Sequence, residues 1–252
     1  MLQILVFITG LLFGSFASLI IHRLNSREGG IWFGRSQCPK CHHKLAPRDL
    51  MPLFSFMLSK GKCRYCKKKI SVFYPTLETC MGVMFLITSL LTDFADIKAL
   101  IFFLLVTFVF VTISFYDFLF KEIPDEIALP AFIISFLYIW LSGAHNIINL
   151  SLGVGIPVAF FGTLFLASRG KWLGGGDIRI GALMGALLGW PLILIGLFVG
   201  YFTGAIYSLI GLATKKFSRK SQIPFAPFLL FGTYIAIFWG QKMLDWYLGK
   251  IG

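Results

Sequence analysis

The chain has 252 residues, 57% of them hydrophobic and only 13% charged, where soluble domains carry about 25% charged residues. That balance excludes a soluble globular protein and indicates an all-α polytopic membrane protein. The net charge of +12 points in such a chain to anionic membrane lipid and to orientation, not to nucleic acid, for which no basic-aromatic module is present.

Residues 2–21 form a first span of about 20 apolar residues, enough to cross the hydrocarbon core. No basic leader precedes it and no small-residue cleavage pattern precedes His22-Arg23, so it reads as a retained span and not a cleaved signal. Residues 22–71 are the one long polar segment and hold four of the five cysteines. Spans are expected at 72–92 and 97–116, with the acidic turn Asp93 to Asp96 between them. A brief polar loop, Asp117 to Pro124, leads to spans at 125–141 and 147–167. A glycine loop occupies 168–177. The stretch 178–213 is long enough for two spans broken at Trp190-Pro191, and a basic loop at 214–222 leads to the last span at about 225–247. About eight transmembrane helices result. The sixth, 178–190, is short for a crossing unless its turn is buried. The chain therefore divides into a first transmembrane helix (1–21), a polar tetracysteine insertion (22–71) and a helical membrane domain (72–252).

With eight spans, 20 of the 23 Lys and Arg residues fall on one side of the membrane. Cytoplasmic loops carry the excess of Lys and Arg, so that side is cytoplasmic and both termini lie outside. Asp117 and Asp177 then sit at the cytoplasmic ends of their spans. Glycines within the spans, such as Gly181, Gly185 and Gly189, match small-xxx-small helix packing, and Trp239, Trp246 and Tyr247 read as interfacial anchors.

Within the polar segment, Cys38-Pro39-Lys40-Cys41 and Cys63-Arg64-Tyr65-Cys66 form C-x2-C-x21-C-x2-C. This is a zinc-ribbon-like design in which each pair turns two thiolates toward one tetrahedral ion. Cytoplasmic placement argues against disulfides. Two unrelated redox or free-thiol pairs are the alternative, and His42 and His43 are available but unneeded ligands. A metal would also supply stability to about 50 polar residues with too few apolar groups for a core.

A carboxylate at the mouth of an apolar span is costly and calls for a function. Asp177 follows Gly174-Gly175-Gly176 directly, and Asp117 stands in a comparable setting. Two carboxylates from different spans can share one proton, one drawing a proton from water while the other polarises a carbonyl. The same pair also suits a carboxylate-gated transporter, and chemistry alone leaves both readings open. No Ser/His/Asp set competes: the histidines are His22, His42, His43 and His145, the last facing outside.

These motifs resemble the bacterial type IV prepilin peptidases, the leader peptidase/N-methyltransferases, over nearly the whole chain. Gly174-Gly175-Gly176-Asp177 matches their G-x-G-D signature. Asp117 through Asp125 of Ile123-Pro124-Asp125 matches their D-x6-P-D element. Gly14-Ser15-Phe16, Ile21-His22-Arg23-Leu24, the two cysteine pairs, Tyr74-Pro75 with Glu78, and Ile223-Pro224-Phe225 are similar in the same order. Ser18 and Ala226 depart from the family's usual Asn and Gly.

The resemblance implies an inner-membrane aspartic endopeptidase with Asp117 and Asp177 catalytic and Gly174, Gly175 and Gly176 as an active-site loop. Exposed backbone at Gly174 to Gly176 would let the extended leader pair with it, as in strand addition. It also implies prepilin and pseudopilin substrates of pilus and type II secretion systems. Methyl transfer falls in the cysteine segment and its flanks, where Gly61 and Glu78 match, with S-adenosyl-L-methionine as methyl donor. A peptidase without that second activity is the alternative. Glu122, Asp125 and Glu126 are placed to attract a leader's basic residues.

Overall fold

A computed structural model of the chain describes residues 1–26, 36–92, 94–171, 173–218 and 221–250. Asp93, named above, lies outside the described residues. Helices make up the regular structure: α1 (Leu2–Ser26), α2 (Phe54–Leu58), α3 (Phe73–Leu91), α4 (Ile97–Phe120), α5 (Asp125–Leu141), α6 (Ile147–Ser168), α7 (Gly175–Leu188), α8 (Leu192–Ala213) and α9 (Ala226–Leu248), with a 3-10 turn at Pro47–Asp49. Setting aside the five-residue α2, these are the eight helices expected. Five of them, α1, α3, α4, α6 and α8, are long and apolar enough to cross a membrane by length and composition.

Helix ends differ from the expected ones in ways that matter. α1 continues through His22 and Arg23 to Ser26. α4 continues four residues past the expected span, because Phe118-Leu119-Phe120 keeps it apolar, and it stops where Lys121 turns left-handed at φ 57°. Asp117 is therefore helical and not in the loop. Gly175, Gly176 and Asp177 form the first turn of α7, so the expected loop over 168–177 ends sooner, at Gly174, the N-cap, whose backbone is extended (φ −76°, ψ 154°).

The chain divides into two compact units, Met1–Thr112 and Ile113–Gly252, the boundary falling within α4. In the first unit α1 and α3 meet on glycines. A Cβ on Gly10 would lie 2.8 Å from the Gly82 Cα, and one on Gly14 would lie 2.6 Å from the Glu78 Cα. Such close backbone approach is what small residues allow in membrane helices. The first part of α4 joins them through Phe108, edge-on to Phe13 and stacked on Phe16, and through a buried Thr88–Thr107 hydroxyl pair at 2.8 Å. That hydrogen bond satisfies two polar groups where water is absent.

In the second unit α7 packs against α5, α6, α8 and α9. Gly153 of α6 has no room for a side chain, its Cβ position being 2.6 Å from the Gly189 Cα. The shortness of α7 is answered by Asn149 of α6: its amide donates to the Trp190 carbonyl at 2.6 Å and its oxygen accepts the Trp190 N–H at 3.0 Å. The turn's polar backbone is thereby paired with protein, the condition for irregular structure at membrane depth.

Candidate active site

Asp117 lies on the last turn of α4 and is buried, with 6% of its surface exposed. Its Oδ2 accepts the backbone N–H of Ala226 at 3.0 Å, and the N–H of Phe225 hydrogen-bonds it as well. Phe225 is the N-cap of α9 and Ala226 its first residue, so the carboxylate occupies the positive end of that 23-residue helix. Asp177 is the third residue of α7, half-buried, and receives a hydrogen bond from the N–H of Gly174. That is half of a capping box: the third residue's side chain reaching back to the N-cap.

Each carboxylate is thus seated at a helix N-terminus, and the two are close enough for the charge on Asp117 to act on Asp177. Two contacts draw their elements together. Gly176 faces Ile123, whose Cδ1 and Cβ would stand 2.8 and 2.9 Å from an added Cβ. Arg179, one half-turn past Asp177, pairs with Asp125 at 2.7 Å between Nε and Oδ1. The segment from Asp117 to Asp125 is thereby held to the first turn of α7 at two points.

Asp125 is engaged with Arg179, which separates it from the pair Asp117 and Asp177. It also leaves Glu122 and Glu126, both exposed, as the acids of this loop free to meet basic residues. Sequence reasoning does not single out Tyr201. It is one of several hydroxyls in α8, with no motif around it, yet the charge on Asp177 reaches it. Its ring packs on Phe225 at 5.0 Å and on Phe161.

In the first unit the cysteines form two matching knuckles. Cys38 accepts the N–H of His42 and donates its own N–H to the His43 carbonyl; Cys63 does the same with Lys67 and Lys68. His42 and Lys67, each following the second cysteine of a pair, are left-handed at φ 56° and 58°. The sequence therefore folds each C-x2-C into the same tight reversal.

All four sulfurs lie within 4.8 Å of one another, with Cys38 Sγ and Cys66 Sγ 4.0 Å apart. A tetrahedral ion with metal–sulfur bonds of about 2.3 Å needs sulfurs roughly 3.8 Å apart, so the set fits a metal ion. Neither His42 nor His43 joins the cluster among the described residues. Burial raises the Cys38 thiol, but the backbone N–H groups of Lys40 and Cys41 and the neighbouring thiols outweigh it and bring it down to about 7. A hydrogen bond from the backbone of His43 lowers Cys41, yet burial and the adjoining Cys38 and Cys66 push it up to about 11. Four thiols gathered this closely suit a single cation.

Glu78 and Gly61 come out differently. Glu78, buried on α3, accepts the Leu53 N–H at 2.9 Å and a hydrogen bond from Ser15. It lines a cavity of about 610 Å3 with Ser15, His22, Tyr74, Cys38 and Cys63. Gly61 is left-handed at φ 68°, in the turn before the second knuckle. It does not line the cavity, although its neighbours Ser59 and Lys62 do.

An all-helical membrane protein with a tetracysteine cluster able to hold a metal ion and paired helix-seated carboxylates is the class these features define. Residues 8–92 match the bacterial peptidase A24 N-terminal domain, and residues 100–209 match the type IV leader peptidase family. The chain is 32% identical to the prepilin leader peptidase/N-methyltransferase of Bacillus subtilis (strain 168), with 98% of each chain covered. It is 30% identical to that of Legionella pneumophila, covering 87% of this chain and 77% of the relative, and 27% identical to that of Aeromonas salmonicida (strain A449), covering 98% and 94%. No solved structure matches. The chain belongs to the type IV leader peptidase family and is an enzyme, which resolves the choice between proteolysis and transport that carboxylate chemistry leaves open.

Proposed function

We propose that Asp117 and Asp177 are the catalytic pair of an aspartic endopeptidase that removes the basic leader from type IV prepilins and pseudopilins. The observation carrying this reading is that two acids 60 residues apart in the sequence are brought into electrostatic reach, each anchored by backbone N–H groups at a helix start. One carboxylate, ionised, takes a proton from water as the water oxygen bonds to the scissile carbonyl carbon. The other, protonated, hydrogen-bonds the carbonyl oxygen as charge develops there. The proton then passes to the leaving amine as the C–N bond breaks, and the shared-proton state returns.

Gly174, Gly175 and Gly176 form the substrate-facing lip of the site. Gly175 has nothing within 4 Å of its Cβ position, and the free N–H groups of a helix's first turn can meet a substrate carbonyl. Glu122 and Glu126 face the leader's basic residues. The active site and the cysteine unit lie on the cytoplasmic face of the inner membrane, supported by the Lys and Arg bias.

Zinc, bound by Cys38, Cys41, Cys63 and Cys66, has a structural role, consistent with a closed four-thiolate site. The 610 Å3 cavity has the size of a small-ligand site, and its buried Glu78 and half-buried Tyr74 suit a cationic, aromatic molecule such as S-adenosyl-L-methionine. That molecule supplies an electrophilic methyl group. Glu78 would hold a positive charge in the cavity, and Ser15 and the Leu53 N–H keep its carboxylate in place. The test of the whole reading is incubation of the enzyme with a prepilin and the methyl donor, followed by mass measurement of the product. A shortened pilin carrying one added methyl is expected; an uncut prepilin would refute the reading.

A further inference from the structure

The cysteine unit carries an apolar surface that a free polar domain would not show. On and beside α2, Met51, Phe54, Met57 and Leu58 are 54%, 61%, 73% and 75% exposed. Contiguous exposed apolar side chains mark an interaction surface. What they meet is fixed by depth and by charge.

Depth comes from a contact of α2 itself. Its N-cap, Leu53, donates its N–H to the buried carboxylate of Glu78 at 2.9 Å. Leu53 has φ +59° and ψ −49°, a conformation costly for a leucine and maintained only by its surroundings. Glu78 is five residues past Phe73, the start of a helix long and apolar enough to cross a membrane. At about 1.5 Å per residue it lies roughly 7.5 Å along that helix. Helix α2 is therefore level with the first turns of α3, and an amphipathic segment in the interface sits about 5–10 Å into the headgroup boundary.

Charge completes the match. Lys67, Lys68 and Lys69, all exposed, immediately precede α3, and the exposed Lys60 follows α2. Basic residues at the start of a span, beside exposed Phe, Met and Leu, are the pattern that binds anionic lipid.

We propose that α2 is a membrane-surface anchor for the cysteine unit. Met51, Phe54, Met57 and Leu58 insert among acyl chains while Lys60 and Lys67 to Lys69 hold anionic headgroups. The anchor holds the metal knuckles and the cavity beside Glu78 at the bilayer surface. The inference stands apart from the assignment of Asp117 and Asp177.

The test is photo-crosslinking of the full chain in vesicles of phosphatidylcholine with phosphatidylglycerol. p-Benzoylphenylalanine is placed at Met57 and, in a second variant, at Leu58, with a probe at exposed Lys40 as the water-facing reference. Phospholipid adducts at residues 57 and 58 but not 40 are expected, with phosphatidylglycerol enriched above its bulk share. The K67Q/K68Q/K69Q background should lose that enrichment. Lipid adducts no more frequent than at residue 40 would overturn the proposal. So would adducts that form only with a co-reconstituted prepilin, which would make this a substrate surface.

Discussion

The Asp117 carboxylate accepts the backbone N–H of Ala226 at 3.0 Å, across 109 residues of sequence. Ala226 has no exposed surface, so the first turn of α9 can approach the aspartate only while residue 226 stays small. Ala226→Gly should keep peptidase activity. Ala226→Leu adds volume to a filled space, a change that costs about 1–3 kcal/mol, and displaces the N–H donors. A fall in kcat for cleavage, with the protein still folded in the membrane, is the expected result.

Asp125 and Asp117 should behave differently although both belong to the D-x6-P-D element. The Asp125–Arg179 pair is partly exposed, at 47% and 39% of the two side chains, and such pairs contribute about 0.2–1 kcal/mol. Asp125→Asn should lower cleavage no more than about fivefold on that scale. The charge swap Asp125→Arg with Arg179→Asp should recover part of any loss. Cleavage assays on the single and double variants check both statements.

The glycines of the G-x-G-D motif are separable. A Cβ on Gly175 meets nothing within 4 Å, whereas one on Gly176 lies 2.8 Å from the Ile123 Cδ1. Gly175→Ala should fold normally, with the first turn of α7 stabilised by up to about 1 kcal/mol. Gly176→Ala should separate the Asp117–Asp125 segment from α7 and lower activity, and Ile123→Ala in the same chain should restore part of it. Thermal stability and cleavage rate, measured side by side, decide the point.

The metal should be acid-labile. The Cys38 thiol ionises at about 7 in place of 9.0; its contribution to stability is full above about 9 and is lost as pH falls through about 7. Cys41, raised to about 11, contributes the other way: its share is present below about 9 and is lost as pH rises through about 11. In the metal-loaded unit all four must be thiolates, so zinc binding strengthens steadily with pH. Zinc content by elemental analysis should be about one per chain at neutral pH, by the four-thiolate stoichiometry. It should decline in chelator as pH drops from 7 toward 5, and vanish in the C38S/C63S variant.

The two activities should come apart at Glu78. Glu78→Gln keeps an acceptor for the Leu53 N–H while removing the charge from the cavity. The product of this variant should be shortened but lack the added methyl, read by mass. A shortened product that still carries the methyl at the wild-type level would contradict this role for Glu78.

Much of this was legible in the residues because membrane helices announce themselves by length and because C-x2-C knuckles fix their own geometry. The break at Trp190-Pro191 was legible too; what pairs its backbone was not, since Asn149 lies 41 residues away. Helices were read short at both Asp117 and Gly175, because a charged side chain or a run of glycines interrupts hydropathy without interrupting a helix. The seat of Asp117 on α9, the Arg179–Asp125 pair and the nearness of Tyr201 to Asp177 all depend on contacts between distant segments, which no local pattern encodes. The exposed face of α2 needed the structure as well: its apolar residues in sequence look the same as a small core.

The most direct test of the proposed catalytic pair is prepilin cleavage by Asp117→Asn and Asp177→Asn enzymes, each isosteric and each shown to be folded by a thermal melt like that of the wild type. Loss of a general acid–base group is worth about 10²–10⁴-fold in rate, and a fall of that size in both variants is expected. Cleavage at the wild-type rate by either one would contradict the account.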